Sequence, residues 1–190
     1  MITEGLRNDK KAKSKAIILH LDGDRKYSKR ALNYYNNLNL KAIVENITER
    51  EQPMRILGLL ERYKPNILVV TGHDKMFKKG QDLYQISNYK NSKYFIETVR
   101  LARKWENSEE KLIIFAGACE SFYEEIMLAG ANFASSPTRI MVEYRDPLII
   151  ASQIANTDSN KYLNMDDLLP NLKSNYNGIG GTRAKGKKNG

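Results

Sequence analysis

Cysteine is almost missing from this chain: one, Cys119, in 190 residues, beside two histidines, one tryptophan and five prolines. A single thiol excludes an intrachain disulfide framework. With only two histidines it leaves no Cys/His set for a closed structural zinc site. No run approaches the roughly 18 consecutive apolar residues of a membrane span, and the first residues lack the charged, apolar, small order of an export signal. A Gly-x-Ser-x-Gly elbow is missing too. Gly178-Ile179-Gly180-Gly181 has no strand pattern before it and no helix pattern after it, so it is not a phosphate loop. Trp105 and the tyrosines at 84, 89 and 94 form no base-stacking row. The expectation is a soluble, intracellular single domain with no metal, no organic cofactor and no membrane partner.

Positive charge is plentiful. The net charge is +9, of which +3 lies in residues 1–15 and +4 in residues 182–190, leaving +2 for the body. Specific nucleic-acid recognition needs a basic patch within the fold, and none is readable. The two basic segments read instead as solvated arms, residues 1–14 and 173–190, flanking one domain over residues 15–172.

Within that body, strand and helix signals alternate. Residues 15–21 (KAIILHL), 41–47, 67–71 and 112–116 are short β-rich runs, and 131–134 and 139–143 are weaker ones. Helical spacing of apolar residues covers 28–38, the segment opened by Gln52-Pro53, 92–105, 122–129 and 146–154. Strands alternating with helices of this length indicate βαβ units, hence a three-layer α/β/α fold with a mainly parallel sheet. In such sheets ligands bind at the carboxyl ends of the strands. Asp22, Asp24, Gly72, His73, Gly117 and Cys119 all fall at those ends.

Two of these ends have the same form. Ile67-Leu68-Val69-Val70-Thr71-Gly72-His73 and Leu112-Ile113-Ile114-Phe115-Ala116-Gly117-Ala118-Cys119 each run from a buried strand into a turn. One turn carries an imidazole and the other a thiol, the minimum for nucleophilic catalysis. Cys119 would gain thiolate character from a following helix N-terminus or a nearby His⁺, or else be a small buried hydrophobe. His73 would move the proton or be a satisfied structural group. His20 lies inside its strand and reads as structural. Asp22-Gly23-Asp24 is good turn chemistry and also a possible acidic pocket for a guanidinium. Asp74 is next to His73 in sequence and poorly placed to orient it, and Glu120 falls where it would complement a helix dipole. A non-catalytic α/β binding module would leave Cys119 dispensable, and a polyanion-binding protein acting through its basic arms would show a steep salt dependence.

The His73 and Cys119 strand ends, 46 residues apart, resemble those of caspase-like (clan CD) cysteine peptidases. A closer resemblance is to the YabG family of sporulation-specific proteases of spore-forming Firmicutes. It is carried by Leu19-His20-Leu21-Asp22-Gly23-Asp24, Val69-Val70-Thr71-Gly72-His73-Asp74, Asn88-Tyr89-Lys90-Asn91-Ser92-Lys93-Tyr94-Phe95 and Phe115-Ala116-Gly117-Ala118-Cys119-Glu120-Ser121, with Ala129-Gly130-Ala131-Asn132-Phe133-Ala134-Ser135-Ser136-Pro137 and Gly178-Ile179-Gly180-Gly181. The resemblance implies a caspase-like cysteine endopeptidase of the mother-cell cytoplasm and spore coat. Such an enzyme cuts coat proteins with exposed arginine, and itself, after arginine. It implies Cys119 as nucleophile and His73 as acid/base partner. The Cys119 amide, with that of Gly72 or Asp74, would hold the oxyanion, and Asp22, Asp24 or Glu120 would form the arginine pocket. In that clan a glycine follows the histidine, whereas here Gly72 precedes His73; Gly117 stands where some basic-specific members carry an aspartate. Relatives carry an additional N-terminal region, so the expected chain is a truncated, processed or short form.

Overall fold

The computed structural model describes residues 14–189. Its elements run β1 (Ile17–Asp22), α1 (Arg25–Asn37), β2 (Lys41–Asn46), α2 (Gln52–Tyr63), β3 (Ile67–Thr71), α3 (Ser92–Trp105), β4 (Ile113–Ala116), α4 (Tyr123–Leu128), β5 (Phe133–Ala134), α5 (Arg145–Asn156), β6 (Tyr162–Asn164), α6 (Met165–Leu168), β7 (Gly180–Gly181) and β8 (Arg183–Lys185). Six strands form one sheet in the order β2-β1-β3-β4-β5-β7, and β6 and β8 form a separate ribbon. The first five are parallel, and β7 closes the edge antiparallel to β5.

Period-two alternation sends successive side chains of each strand to opposite faces, and both faces are covered. Ile18, Val69, Phe115 and Phe133 meet Ala31 and Tyr35 of α1 and Leu148, Ala151 and Ile154 of α5. Leu19, Leu68, Val70 and Ile114 meet Ile56 and Leu60 of α2 and Phe95 and Val99 of α3. The architecture is the three-layer α/β/α arrangement that the sequence indicates. Because β3 and β4 are neighbours in register, with Val70 opposite Ala116, the segments after them leave the sheet side by side. That adjacency positions the site.

Local chemistry sets the element ends. The Asp24 side chain caps α1, accepting from the Lys26 and Tyr27 amides. Pro53 sits in the first turn of α2, and Lys64 ends that helix in a left-handed conformation at φ 44° just before Pro65. Helix α4 starts at Tyr123, so Glu120 is not in its first turn. Residues 139–143, expected as a strand, are irregular. Their amides are held by individual side chains instead of a neighbouring strand: Ile140 N donates to Ser136 Oγ, Val142 N to Cys119 Sγ and Glu143 N to Ser174 Oγ.

The tail expected as a flexible arm over 173–190 is packed. Ile179 and Ala184 are core residues at 0% and 1% exposure, and β7 pairs with β5. The glycines at 180 and 181, which look like linker composition, permit close approach: a Cβ on Gly181 would fall 2.4 Å from the Asn132 carbonyl oxygen. The basic side chains are engaged too. Lys187 Nζ donates to the Glu110 carbonyl, Lys188 lies 3.8 Å from Asp158, and Arg183 stacks over Tyr162. Of the expected N-terminal arm, residues 1–13 lie outside the described residues. Among the described residues no helix is long and apolar enough to cross a membrane, and no group of three His, Cys, Asp or Glu residues could hold a metal ion.

Ile179→Ala should destabilise the fold by about 2–5 kcal/mol in chemical denaturation. A tail that does not pack would leave stability within about 0.5 kcal/mol of the parent.

Candidate active site

The turn after β4 depends on Gly117. It holds φ at +110°, and a Cβ there would come 2.7 Å from the Ser135 carbonyl oxygen. The Ala118 amide then donates to Ser121 Oγ at 2.9 Å, which folds the chain back and presents Cys119. The Cys119 thiol is partly exposed, and its Sγ accepts from the Val142 amide at 3.3 Å. The thiol in turn faces the Val142 carbonyl oxygen at 3.8 Å, so both contacts to the sulfur come from one residue. The expected helix N-terminus is displaced from the thiol, since α4 starts four residues on; the Val142 amide is the donor the sequence did not show.

His73 is fixed at three points. Its amide donates to Glu49 Oε1 at 2.7 Å, its carbonyl accepts from Asn91 Nδ2 at 2.7 Å, and its Nε2 bonds Asp24 Oδ2 at 2.8 Å. The carboxylate accepts, so Nε2 carries the proton. Nδ1 is left as the basic nitrogen, without a protein hydrogen bond among the described residues. The acid that orients the imidazole is therefore Asp24. Asp24 does not line the cavity described below, which corrects its place among the arginine-pocket candidates. Asp74 is turned elsewhere: its Oδ1 accepts from the Lys75 and Asn91 amides and its Oδ2 from the Ser92 and Ser121 hydroxyls. Since Ser121 also holds Ala118, Asp74 ties the loop carrying His73 to the turn carrying Cys119.

Glu49 went unnoticed in the sequence. Its carboxylate sits over Gly23 and Gly72, where a Cβ at either position would fall 2.2 Å from Oε1. Two glycines at neighbouring strand ends were the available sign that another group comes close. Because Glu49 takes the His73 amide, that amide is not free for an oxyanion. The amides of Gly72, Asp74 and Cys119 make no hydrogen bond within the described residues.

Between these groups lies a cavity of about 250 Å³ lined by Cys119, His73, Gly72, Asp22, Tyr27 and Tyr144, among others. Two acids line it: Glu143, paired with Arg145 at 3.1 Å, and Asp22, whose side chain pairs with no lysine or arginine among the described residues. Asp22 Oδ1 accepts from the Asp24 amide and its Oδ2 from Thr71 Oγ1, each at 2.7 Å. Thr71 Oγ1 in turn bonds His20 Nε2, and His20 Nδ1 meets the Tyr35 hydroxyl, both at 2.9 Å. His20 is thus the buried structural group expected, and it braces Asp22 from behind. Tyr27 and Tyr144 lie 5.2 Å apart, with Arg30 over both rings. Glu120 does not line this cavity. At φ +58° it turns toward a second one and pairs with Lys79 at 2.9 Å.

An α/β protein that sets one cysteine and one histidine at the ends of adjacent parallel strands, around an acid-floored cavity, has the layout of a thiol hydrolase site. The profile of the family described as YabG peptidase U57 matches residues 3–190, and the chain belongs to that family. The sporulation-specific protease YabG of Bacillus subtilis (strain 168) is 39% identical over 169 residues, covering 89% of this chain and 58% of that protein. The chain thus spans somewhat over half the length of that relative.

Asp24 and Asp74, on either side of His73 in sequence, are shifted in opposite directions. The hydrogen bond from His73 holds Asp24 below the 3.8 of a free aspartate, whereas burial pushes Asp74 above it against four hydrogen bonds. Asp24 therefore contributes stability that is present above its unfolded pKa and lost as pH falls through its lowered folded value. Asp74 has the opposite sign: its contribution declines as pH rises from the unfolded to the raised folded value. Carboxyl ¹³C NMR during acidification should show Asp74 taking up its proton before Asp24; the reverse order would contradict these assignments.

Proposed function

We propose that this chain is the catalytic part of a sporulation-specific cysteine endopeptidase that cuts spore-coat and related proteins, and itself, after arginine. The observation that carries this reading is the shared cavity, lined by Cys119, His73 and Asp22. The site of action would be the mother-cell cytoplasm and the forming coat, in keeping with the sporulation-specific relative.

In the proposed reaction the P1 arginine enters the cavity and pairs its guanidinium with the Asp22 carboxylate, which keeps lone pairs for a two-pronged contact. Tyr27 and Tyr144, which line the cavity, supply apolar wall for the aliphatic stem of that arginine. The Cys119 thiolate attacks the scissile carbonyl, and the oxyanion is held by the amides of Cys119 and Gly72, the free amides whose residues line the cavity. The substrate main chain takes over the Val142 amide, which releases the sulfur. Imidazolium at His73 protonates the leaving amine; neutral His73 then draws a proton from water, and the hydroxide opens the acyl-enzyme. Asp24 holds His73 in the tautomer this needs. No step calls for a metal or organic cofactor.

The test is turnover of an arginyl-ended fluorogenic peptide. Cys119→Ala should abolish it, and His73→Ala should lower kcat/KM by about 10²–10⁴-fold. Asp24→Asn keeps the cap of α1 but donates to Nε2, so it should lower kcat by about 10²-fold with little change in KM. Asp22→Asn should raise KM for arginyl peptides more than it lowers kcat. Equal turnover in the parent, Cys119→Ala and His73→Ala would end the peptidase reading and favour a non-catalytic binding module.

A further inference from the structure

A second cavity, of about 410 Å³, opens beside the first and is not used by the reaction above. The two share the Cys119–Glu120 turn and the segment that follows β5: residues 137–139 line the second and 141–144 the first. An extended peptide seated at Cys119 has both within reach. We infer that this second cavity is a subsite for a basic side chain of the substrate, a lysine or arginine other than the one at the cut, and that Lys79 occupies it in the free protein.

Charge accounting carries the inference. The cavity holds two anions and two cations. Arg139, with its side chain 7% exposed, is committed: it pairs with Glu124, donates to the Tyr89 hydroxyl, and lies over the Tyr89 and Phe122 rings. The other pair is lopsided. The Glu120 side chain is only 9% exposed, whereas that of its partner Lys79 is 76% exposed. Lys79 belongs to the irregular stretch between Met76 and the short turn at Ile86–Asn88, and an ammonium that is already solvated gives up little on leaving. Glu120 cannot return to water so easily. A buried carboxylate stripped of its cation is strongly disfavoured, so whatever displaces Lys79 must bring a positive charge. Met76, Leu83 and Tyr84 supply apolar wall for the aliphatic stem of such a side chain. Lys79 thus marks both the position and the chemistry of the ligand.

The proposal rests on the peptidase reading for the identity of its ligand, and the experiment separates the two. Labelled decapeptides with one arginine at the cutting position carry either lysine or norleucine at each flanking position in turn. Affinity is read by fluorescence anisotropy on Cys119→Ala protein, and turnover on the parent protein. At one flanking position lysine should bind about tenfold tighter than norleucine. Glu120→Gln should erase that difference, and Lys79→Ala, a surface change, should widen it by about two- to fivefold. Lysine and norleucine binding equally at every position, or a preference that neither variant alters, would overturn the subsite even if the peptides are cut. Absent turnover with a Glu120-dependent lysine preference would overturn the peptidase reading and leave the subsite standing.

Discussion

The Asp74 carboxylate joins the two halves of this site. It is 7% exposed and accepts four hydrogen bonds, two of them from backbone amides of its own loop and α3 entry, and two from the hydroxyls of Ser92 and Ser121. Ser121 passes the restraint to the Ala118 amide and Ser92 to the Phe122 amide, on either side of Glu120. The loop that carries His73 and the turn that carries Cys119 therefore cannot shift independently. Each interior donor left without its partner would cost about 1–3 kcal/mol. Parallel pairing of β3 and β4 brings the two loops alongside one another, and Asp74 fixes their spacing.

Around that joint, His73 and Cys119 each have their own restraint from a different part of the chain. Asp24 and Glu49 hold His73 by its ring and its amide, and Val142 holds the Cys119 sulfur. The Val142 segment is itself supported from the C-terminus, because the buried Asp146 carboxylate accepts from the Lys173 and Ser174 amides while Ser174 Oγ accepts from Glu143 N. The tail thus supports the segment that lines the cavity without lining it itself. A catalytic constellation must be held to within about half an ångström, and restraints drawn from β1, β2–α2, β3, β5–α5 and the tail meet that demand better than one loop could.

The layers and the strand ends were legible in the sequence because they follow from periodicity. A continuous apolar run such as residues 67–71 has little choice but a doubly covered strand, and Pro65 and Gly72 mark its limits. Cys119 and His73 were legible for the same reason, as polar residues where such runs stop. What the sequence concealed depends on pairings far apart in the chain. Asp24 looked like half of an acidic pocket, yet the turn at Gly23 sends it to His73, while Asp22 keeps its side chain in the cavity. Glu120 looked like a helix-dipole residue, but α4 starts later and the left-handed backbone at Glu120 turns it to another cavity. The tail read as a flexible arm because Gly and Lys usually signal solvation; here the glycines allow backbone to meet backbone, and the lysines cap carbonyls and carboxylates.

The proposed function requires that Cys119 act as a nucleophile beside a cavity that selects a guanidinium. Intact-mass kinetics with a peptidyl-arginyl chloromethyl ketone tests it without requiring a natural substrate. A single adduct on Cys119 is expected, formed at least about tenfold faster than with the norleucyl analogue, with that advantage lost in Asp22→Asn and the reaction slowed in His73→Ala. Equal rates for the arginyl and norleucyl reagents, or labelling of Cys119 no faster than a free thiol and indifferent to His73, would contradict it.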